Sequence, residues 1–147
     1  MNADDRNLLT QGRVATRLPA QDLDRARRFY SEQLGLQPVE EGPGGLLYRC
    51  DGAEFQVFES AGASPGTFTQ MSWEVDDIEA VVGALKRRGV VFEEFGLPSV
   101  YGGGHTQDGV VAVENYLSTR ASGVRGALGA WFRDSEGNML GIGQPIT

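Results

Sequence analysis

The chain has 147 residues and a formal net charge of −7, with 40% hydrophobic and 22% charged residues. This is the composition of one soluble globular domain, and no apolar run approaches the ~18 residues of a membrane span. Acidic and basic residues are interleaved, which excludes the basic stripe of a nucleic-acid-binding protein. The single cysteine, Cys50, excludes an intrachain disulfide and a cysteine-rich metal site. We therefore expect a small-molecule partner, and neither a nucleic acid nor a membrane.

The first half of the chain predicts a strand, a helix and a hairpin. Arg13–Leu18 has the pattern of a strand. Asp22 is a typical N-cap residue, and the apolar residues that follow recur at helical spacing as far as Gly35. Two strands then flank Asp51-Gly52, a dipeptide typical of a tight hairpin turn.

The second half repeats this order of elements. Thr69–Val75 predicts a strand, and Asp77 caps a helix that ends at Gly89. A strand over Val90–Phe95 and a closing hairpin complete the unit, whereas the connection 96–126 has no counterpart in the first half. Such a repeat predicts one fold of two like halves with a shared cleft. A connection of that length is typical of a lid or a locally disordered segment.

Three residue pairs and one turn suggest a family. These are Asp22-Leu23, Phe29-Tyr30, Leu34-Gly35 and the turn Asp134-Ser135-Glu136-Gly137-Asn138. In them the chain resembles the glyoxalase / bleomycin-resistance / extradiol-dioxygenase superfamily (vicinal oxygen chelate fold) over most of its length. The resemblance implies an α+β fold in which two βαβββ modules in tandem form a curved mixed sheet around a cleft, with the helices outside.

The resemblance implies that the chain consists of a tail and one glyoxalase-like domain, 12–147. We expect a disordered tail over 1–11, module one over 12–59, a linker over 60–68 and module two over 69–144. The tail carries three charged residues and lacks the apolar core of a signal peptide, so a cytoplasmic location is expected.

The resemblance also implies where a metal would bind. Metalloenzymes of the family place four ligands on cleft strands, and these positions fall at Ala15, Gln56, Gln70 and Gly141. No histidine or carboxylate stands there, although a divalent ion needs several such donors to offset the loss of its hydration shell. We therefore expect no metal and no other cofactor.

Strand alternation and residue chemistry give the candidate site residues. Arg17 either holds an anionic oxygen of a ligand or pairs with Glu74 or Glu59. Glu74 and His105 are the candidate catalytic acid or base residues, whereas Trp131 is assigned to core packing. The candidate ligand-binding residues are Arg17, Tyr48, Gln56, Phe58, Gln70, Ser72, Tyr101 and Tyr116.

Three functions follow from this cleft. The favoured one is a metal-free, drug-sequestering binding protein of the bleomycin-resistance type, expected as a homodimer. The alternative is a metal-independent isomerase, cyclase or lyase that uses Glu74 or His105 for proton transfer, with Arg17 holding an oxyanion. The third is a metal-dependent lyase or dioxygenase with atypical ligands. The sequence leaves open whether the two modules pair within one chain or between subunits.

Overall fold

The structure, a computed structural model, describes residues 8–119 and 121–147, so most of the predicted disordered tail, residues 1–7, lies outside it. The α+β fold of two βαβββ modules is confirmed. The elements are β1 Thr16–Ala20, α1 Leu23–Glu32, β2 Glu40–Gly42, β3 Gly45–Cys50, β4 Ala53–Glu59, β5 Thr69–Glu74, α2 Ile78–Arg87, a 3-10 turn Ser99–Tyr101, β6 Val111–Glu114, β7 Gly126–Arg133 and β8 Met139–Ile146.

Each module contributes one four-stranded mixed sheet. The strand orders are β1-β4-β3-β2 and β5-β8-β7-β6, and the first strand of each module runs parallel to its neighbour at the sheet edge. The predicted strand Val90–Phe95 is reduced to an isolated bridge between Phe92 and Phe132. The reason is that β6, from the long connection, occupies the other half of the same edge of β7.

Both helices begin where their capping residues predict. The side chain of Asp22 accepts a hydrogen bond from the backbone N–H of Arg25 at 3.0 Å, and Asp77 accepts one from Ala80 at 3.1 Å. Gly35 follows α1 with a φ of 72°, a left-handed conformation that favours glycine after a helix. Neither helix in the described ranges has the length and apolarity needed to cross a bilayer.

One hydrophobic core joins the two modules. One face of each sheet packs against the helices, and its apolar residues meet residues of α1 and α2 in a single cluster. Across the module boundary, the rings of Phe55 and Trp73 pack edge to face with centroids 5.8 Å apart. Each sheet therefore buries one face in the shared core and keeps an open face on its other side.

The turn 134–138 in module two holds the first helix of module one. The hydroxyl of Tyr30 donates to Asp134 Oδ2 at 2.7 Å, and Nδ2 of the fully buried Asn138 donates to the carbonyl of Pro19 at 2.9 Å. The carboxylate of Glu136 accepts from the guanidinium of Arg25 at 2.8 Å. Buried polar groups are costly unless they are paired, so these bonds select one arrangement of the modules.

The Glu136 carboxylate predicts a specific pH dependence of stability. Burial by itself raises the pKa of Glu136, but hydrogen bonds from Arg25, Asp22 N–H and Ser135 outweigh burial and lower it. A lowered folded-state pKa stabilises the fold above the ordinary value of about 4.3, and this contribution is lost as pH falls through the folded-state pKa. Glu136→Gln should cost about 1–3 kcal/mol at neutral pH, and urea titrations should show the difference from wild type shrinking below about pH 4.

The matched control is Glu54→Gln, which breaks the exposed ion pair with Arg49. Exposed pairs contribute about 0–1 kcal/mol, so this variant should unfold close to wild type at every pH. Equal destabilisation by the two substitutions would show that the turn is not held by the Glu136 carboxylate.

Two buried tyrosines should respond oppositely to loss of the hydroxyl. Their rings stack with centroids 5.2 Å apart, but only Tyr30 donates to a carboxylate, while the Tyr48 hydroxyl has no partner among the described residues. Tyr30→Phe should lower the free energy of unfolding by about 1–3 kcal/mol, because it removes a buried hydrogen bond to the Asp134 carboxylate, which then keeps only its bonds from Asn138 and the turn backbone. Tyr48→Phe should be neutral or stabilising, since it removes a buried, unpaired polar group. Chemical denaturation of both variants tests this contrast.

Candidate functional site

The open face of the first sheet, here the first open face, consists of Ala15, Arg17, Leu47, Gln56 and Phe58. Arg17, Gln56 and Leu47 form a row across β1, β4 and β3. The guanidinium carbon of Arg17 lies 5.4 Å from the ring centroid of Phe58, within cation–π range. A groove of about 530 Å³ runs over this face, with an adjoining one of about 290 Å³, and both are lined by first-module residues.

The open face of the second sheet, here the second open face, has a floor of glycines: Gly129, Gly141 and Gly143. A Cβ atom at position 141 would lie 2.7 Å from Ser72 Oγ and 3.2 Å from the indole Nε1 of Trp131. A Cβ at position 143 would lie 3.0 Å from the hydroxyl of Tyr116. Glycine is therefore required for aromatic rings to lie directly on these strands.

Three rings, here the aromatic platform, cover this floor: Phe95, Tyr116 and Trp131. The rings of Phe95 and Trp131 are 5.1 Å apart between centroids and tilted by 60°. Burial raises the pKa of Tyr116, and the nearby charge of Glu74 raises it further. The assignment of Trp131 to the core was wrong, because the indole lies half-buried on the open face rather than between sheet and helices.

The carboxylate of Glu74 anchors the long connection to the second open face. It accepts hydrogen bonds from the hydroxyl of Ser118 at 2.7 Å and from both the backbone N–H and the hydroxyl of Thr119 at 3.0 Å. Burial tends to raise the pKa of Glu74, but these hydrogen bonds outweigh it and lower the pKa. A carboxylate with a lowered pKa is a weak base at neutral pH, which disfavours proton abstraction by Glu74.

The other catalytic candidate, His105, lies on the exposed part of the connection. Its Nδ1 is 3.0 Å from the carbonyl oxygen of Thr106, and its backbone bridges Gly96. In the described ranges, no hydrogen bond joins it to Glu74 or to either open face. The structure thus does not bring the two acid–base candidates together.

Several predicted ligand-binding residues have other surroundings. Tyr48 is fully buried in the shared core, because it points to the helix side of β3, so it lies away from both open faces. The side chain of Gln70 bonds to Ser64 of the linker segment and to Asn138 of module two. Tyr101 is 42% exposed on the 3-10 turn.

Arg17, Gln56 and Phe58 lie together on the first open face. Ser72 and Tyr116 lie together on the second, where the sequence argument missed Phe95. The expected pairs of Arg17 with Glu74 or Glu59 are not formed among the described residues.

Comparison with known proteins identifies the family. The model of the Glyoxalase/Bleomycin resistance protein/Dioxygenase superfamily matches residues 11–142. The chain belongs to this superfamily. No curated protein matches the sequence at a significant level.

Solved structures of the superfamily share this fold at low sequence identity. A glyoxalase/bleomycin resistance protein/dioxygenase from Alicyclobacillus acidocaldarius is 15% identical, with a TM-score of 0.67 and 93% of each chain covered. TnmS3, an antibiotic binding protein from Streptomyces sp. CB03234, is 23% identical, with a TM-score of 0.57 and coverage of 92% of this chain and 97% of that one. Lactoylglutathione lyase from Agrobacterium tumefaciens is 19% identical, with a TM-score of 0.56 and coverage of 91% and 93%. These similarities show the fold alone.

The four positions that hold metal in the superfamily's metalloenzymes do not fit a divalent ion here. Ala15 has no donor atom, and the amide oxygen of Gln70 already accepts from Ser64 and from the backbone of Met139. Above Gly141, Ser72 and Trp131 occupy the volume that a ligand side chain would need. Gln56 alone remains, and one neutral amide cannot replace a hydration shell. No cluster of metal-binding acidic, histidine or cysteine side chains occurs within residues 8–119 and 121–147.

The close approach of rings at position 141 predicts an effect of adding one methyl group. Gly141→Ala should destabilise the protein by about 1–3 kcal/mol, because the added Cβ would lie 2.7 Å from Ser72 Oγ, which must move, and 3.2 Å from the Trp131 indole, which must also give way. Thermal and urea unfolding measure this change. The control is Gly62→Ala in the linker, where an added Cβ meets nothing within 4 Å and stability should stay near wild type. Equal stability of both variants would contradict the packing described here.

Proposed function

We propose that this protein is a metal-free binding protein for a small planar molecule, of the drug-sequestering kind found in the superfamily. The observation that carries the proposal is the Trp131 indole above Gly141, since an aromatic surface takes the volume of a metal ligand. The half-buried rings of the platform offer aromatic surface on which a planar ligand can stack. One solved neighbour, TnmS3, is described as an antibiotic binding protein, and we extend that kind of function to this chain.

The proposal includes a homodimer that completes each cleft. In one chain the first open face and the second open face belong to different sheets, each with its other side in the shared core. The strands β1 and β5 each end a sheet, and such unpaired edges favour association. We place the first open face of one copy opposite the second open face of its partner. We also propose a cytoplasmic location, in agreement with the free thiol of Cys50.

The first test separates metal-free binding from metal-dependent catalysis. Purified protein should contain Zn, Ni, Fe and Mn far below one equivalent, and adding these ions should not raise the melting temperature. A panel of planar antibiotics and aromatic acids should include compounds that do raise it, because a ligand that binds only the folded state stabilises it. Native mass spectrometry should show a dimer with one ligand per cleft. Stoichiometric metal, or ligand turnover by the protein, would refute the proposal.

The platform itself is tested by substitution of Trp131. Trp131→Ala should weaken binding of any compound found in the panel by about tenfold or more, since one aromatic contact is worth about 0.5–1.5 kcal/mol beyond its buried area. Trp131→Phe, which keeps a ring above Gly141, is the matched control and should retain most of the affinity. Isothermal titration calorimetry measures the dissociation constants of wild type and both variants. Equal affinities of wild type and Trp131→Ala would exclude the platform from the ligand site.

A further inference from the structure

Two cations line the larger groove on the first open face, and no acidic residue in the described part of the chain pairs with them. Arg13 and Arg17 line the same groove and flank Ala15, whose methyl group leaves the space between them open. Among the described residues neither forms an ion pair, whereas four other arginines do: Arg25, Arg27, Arg49 and Arg133. Among the unpaired arginines, these two share a groove with an open floor between them, which makes them available to an anionic ligand.

The acidic residues along these grooves do not cancel the two cations. Glu54 lines the larger groove, but its carboxylate is held by Arg49 at 2.7 Å. Glu41 lines the smaller groove and pairs with Arg27, which leaves Glu40 as the remaining carboxylate there. The floor of the larger groove, around Ala15 and Arg17, therefore keeps a local positive charge.

We infer that this groove binds the carboxylate group of a planar organic acid, between the guanidinium groups of Arg13 and Arg17 and above Ala15. This inference rests on the proposed binding function and names the chemical class of its ligand. A guanidinium matches a carboxylate in plane and spacing and donates two parallel hydrogen bonds to it. Gln56, beside Arg17 in the same row, supplies an amide N–H to the same oxygens.

The surroundings of Arg17 also specify the rest of the ligand. Leu47 and Phe58 extend the same face with half-buried apolar surface, and the Phe58 ring already holds the Arg17 guanidinium in position. An apolar, flat body attached to the acid covers this surface and gains from its burial. A positioned guanidinium loses less rotamer freedom when the ligand binds, which favours affinity.

The experiment compares an acid with its neutral amide. Wild-type protein should bind 2-naphthoate at least about tenfold more tightly than 2-naphthamide by isothermal titration calorimetry, because hydrogen bonds from a guanidinium to a charged carboxylate are stronger than those to a neutral amide. Arg17→Gln and Arg13→Gln should each lower the affinity for 2-naphthoate by about tenfold and keep the affinity for 2-naphthamide within about twofold of wild type. Added salt should weaken the binding of 2-naphthoate and leave the binding of 2-naphthamide unchanged. Arg28→Gln, on the exposed side of α1, removes the same charge elsewhere and should change neither affinity.

The outcomes separate the two proposals. Equal binding of acid and amide by wild type would overturn the carboxylate assignment and leave the binding function standing. Binding of neither compound, together with a panel that produces no thermal shift, would overturn both. Arg17 could instead have a structural role and pair with Glu74 of a second copy. In that case Arg17→Gln and Glu74→Gln would raise the dimer dissociation constant equally, and neither would change 2-naphthoate binding. That result would also overturn the assignment.

Discussion

The arrangement of this protein depends on the buried turn 134–138. Asp134 accepts hydrogen bonds from Tyr30, from Asn138 and from the backbone of Glu136, and Asn138 in turn reaches the carbonyl of Pro19. Unpaired, each of these groups would carry a desolvation cost, so the turn is stable only against the first helix and strand of the other module. These bonds join residues more than one hundred positions apart in the sequence. As a result, the helix-side faces of both sheets pack in one core.

The packing of both helix-side faces in one core leaves the chemistry of the two open faces unconstrained by the core. Because the shared core takes the apolar side of each sheet, the remaining sides are free to differ between the modules. The first carries arginines over a methyl group, and the second carries aromatic rings over glycines. At two of the positions that supply metal donors in other superfamily members, this chain has a small residue instead. Ala15 leaves room for a groove, and Gly141 leaves room for an indole ring. One fold therefore supports different chemistry through the size of a few side chains.

Local patterns predicted the helices, the hairpins and most of the strands, since capping residues, turn dipeptides and alternation act over a few residues. Trp131 was misassigned because an aromatic residue in an apolar strand fits either face equally well by sequence. The bond of Arg25 to Glu136 was also unforeseen, because Arg25 reads as a solvated helix position. Whether the modules pair within one chain or between subunits was left open by the sequence, since contacts between distant segments decide it.

The long connection explains why the repeat is asymmetric. Only module two carries this segment, and its hydrogen bonds to Glu74 hold residues 118 and 119 at the edge of the second open face. The hydroxyl and amide donors of the segment bind the charged carboxylate more strongly than a neutral one, and for this reason they lower the pKa of Glu74. Tyr116 is therefore held over Gly143 by an anchor that the first module lacks. A sheet with a glycine floor has few side chains of its own, so the connection supplies the ring that this part of the face needs.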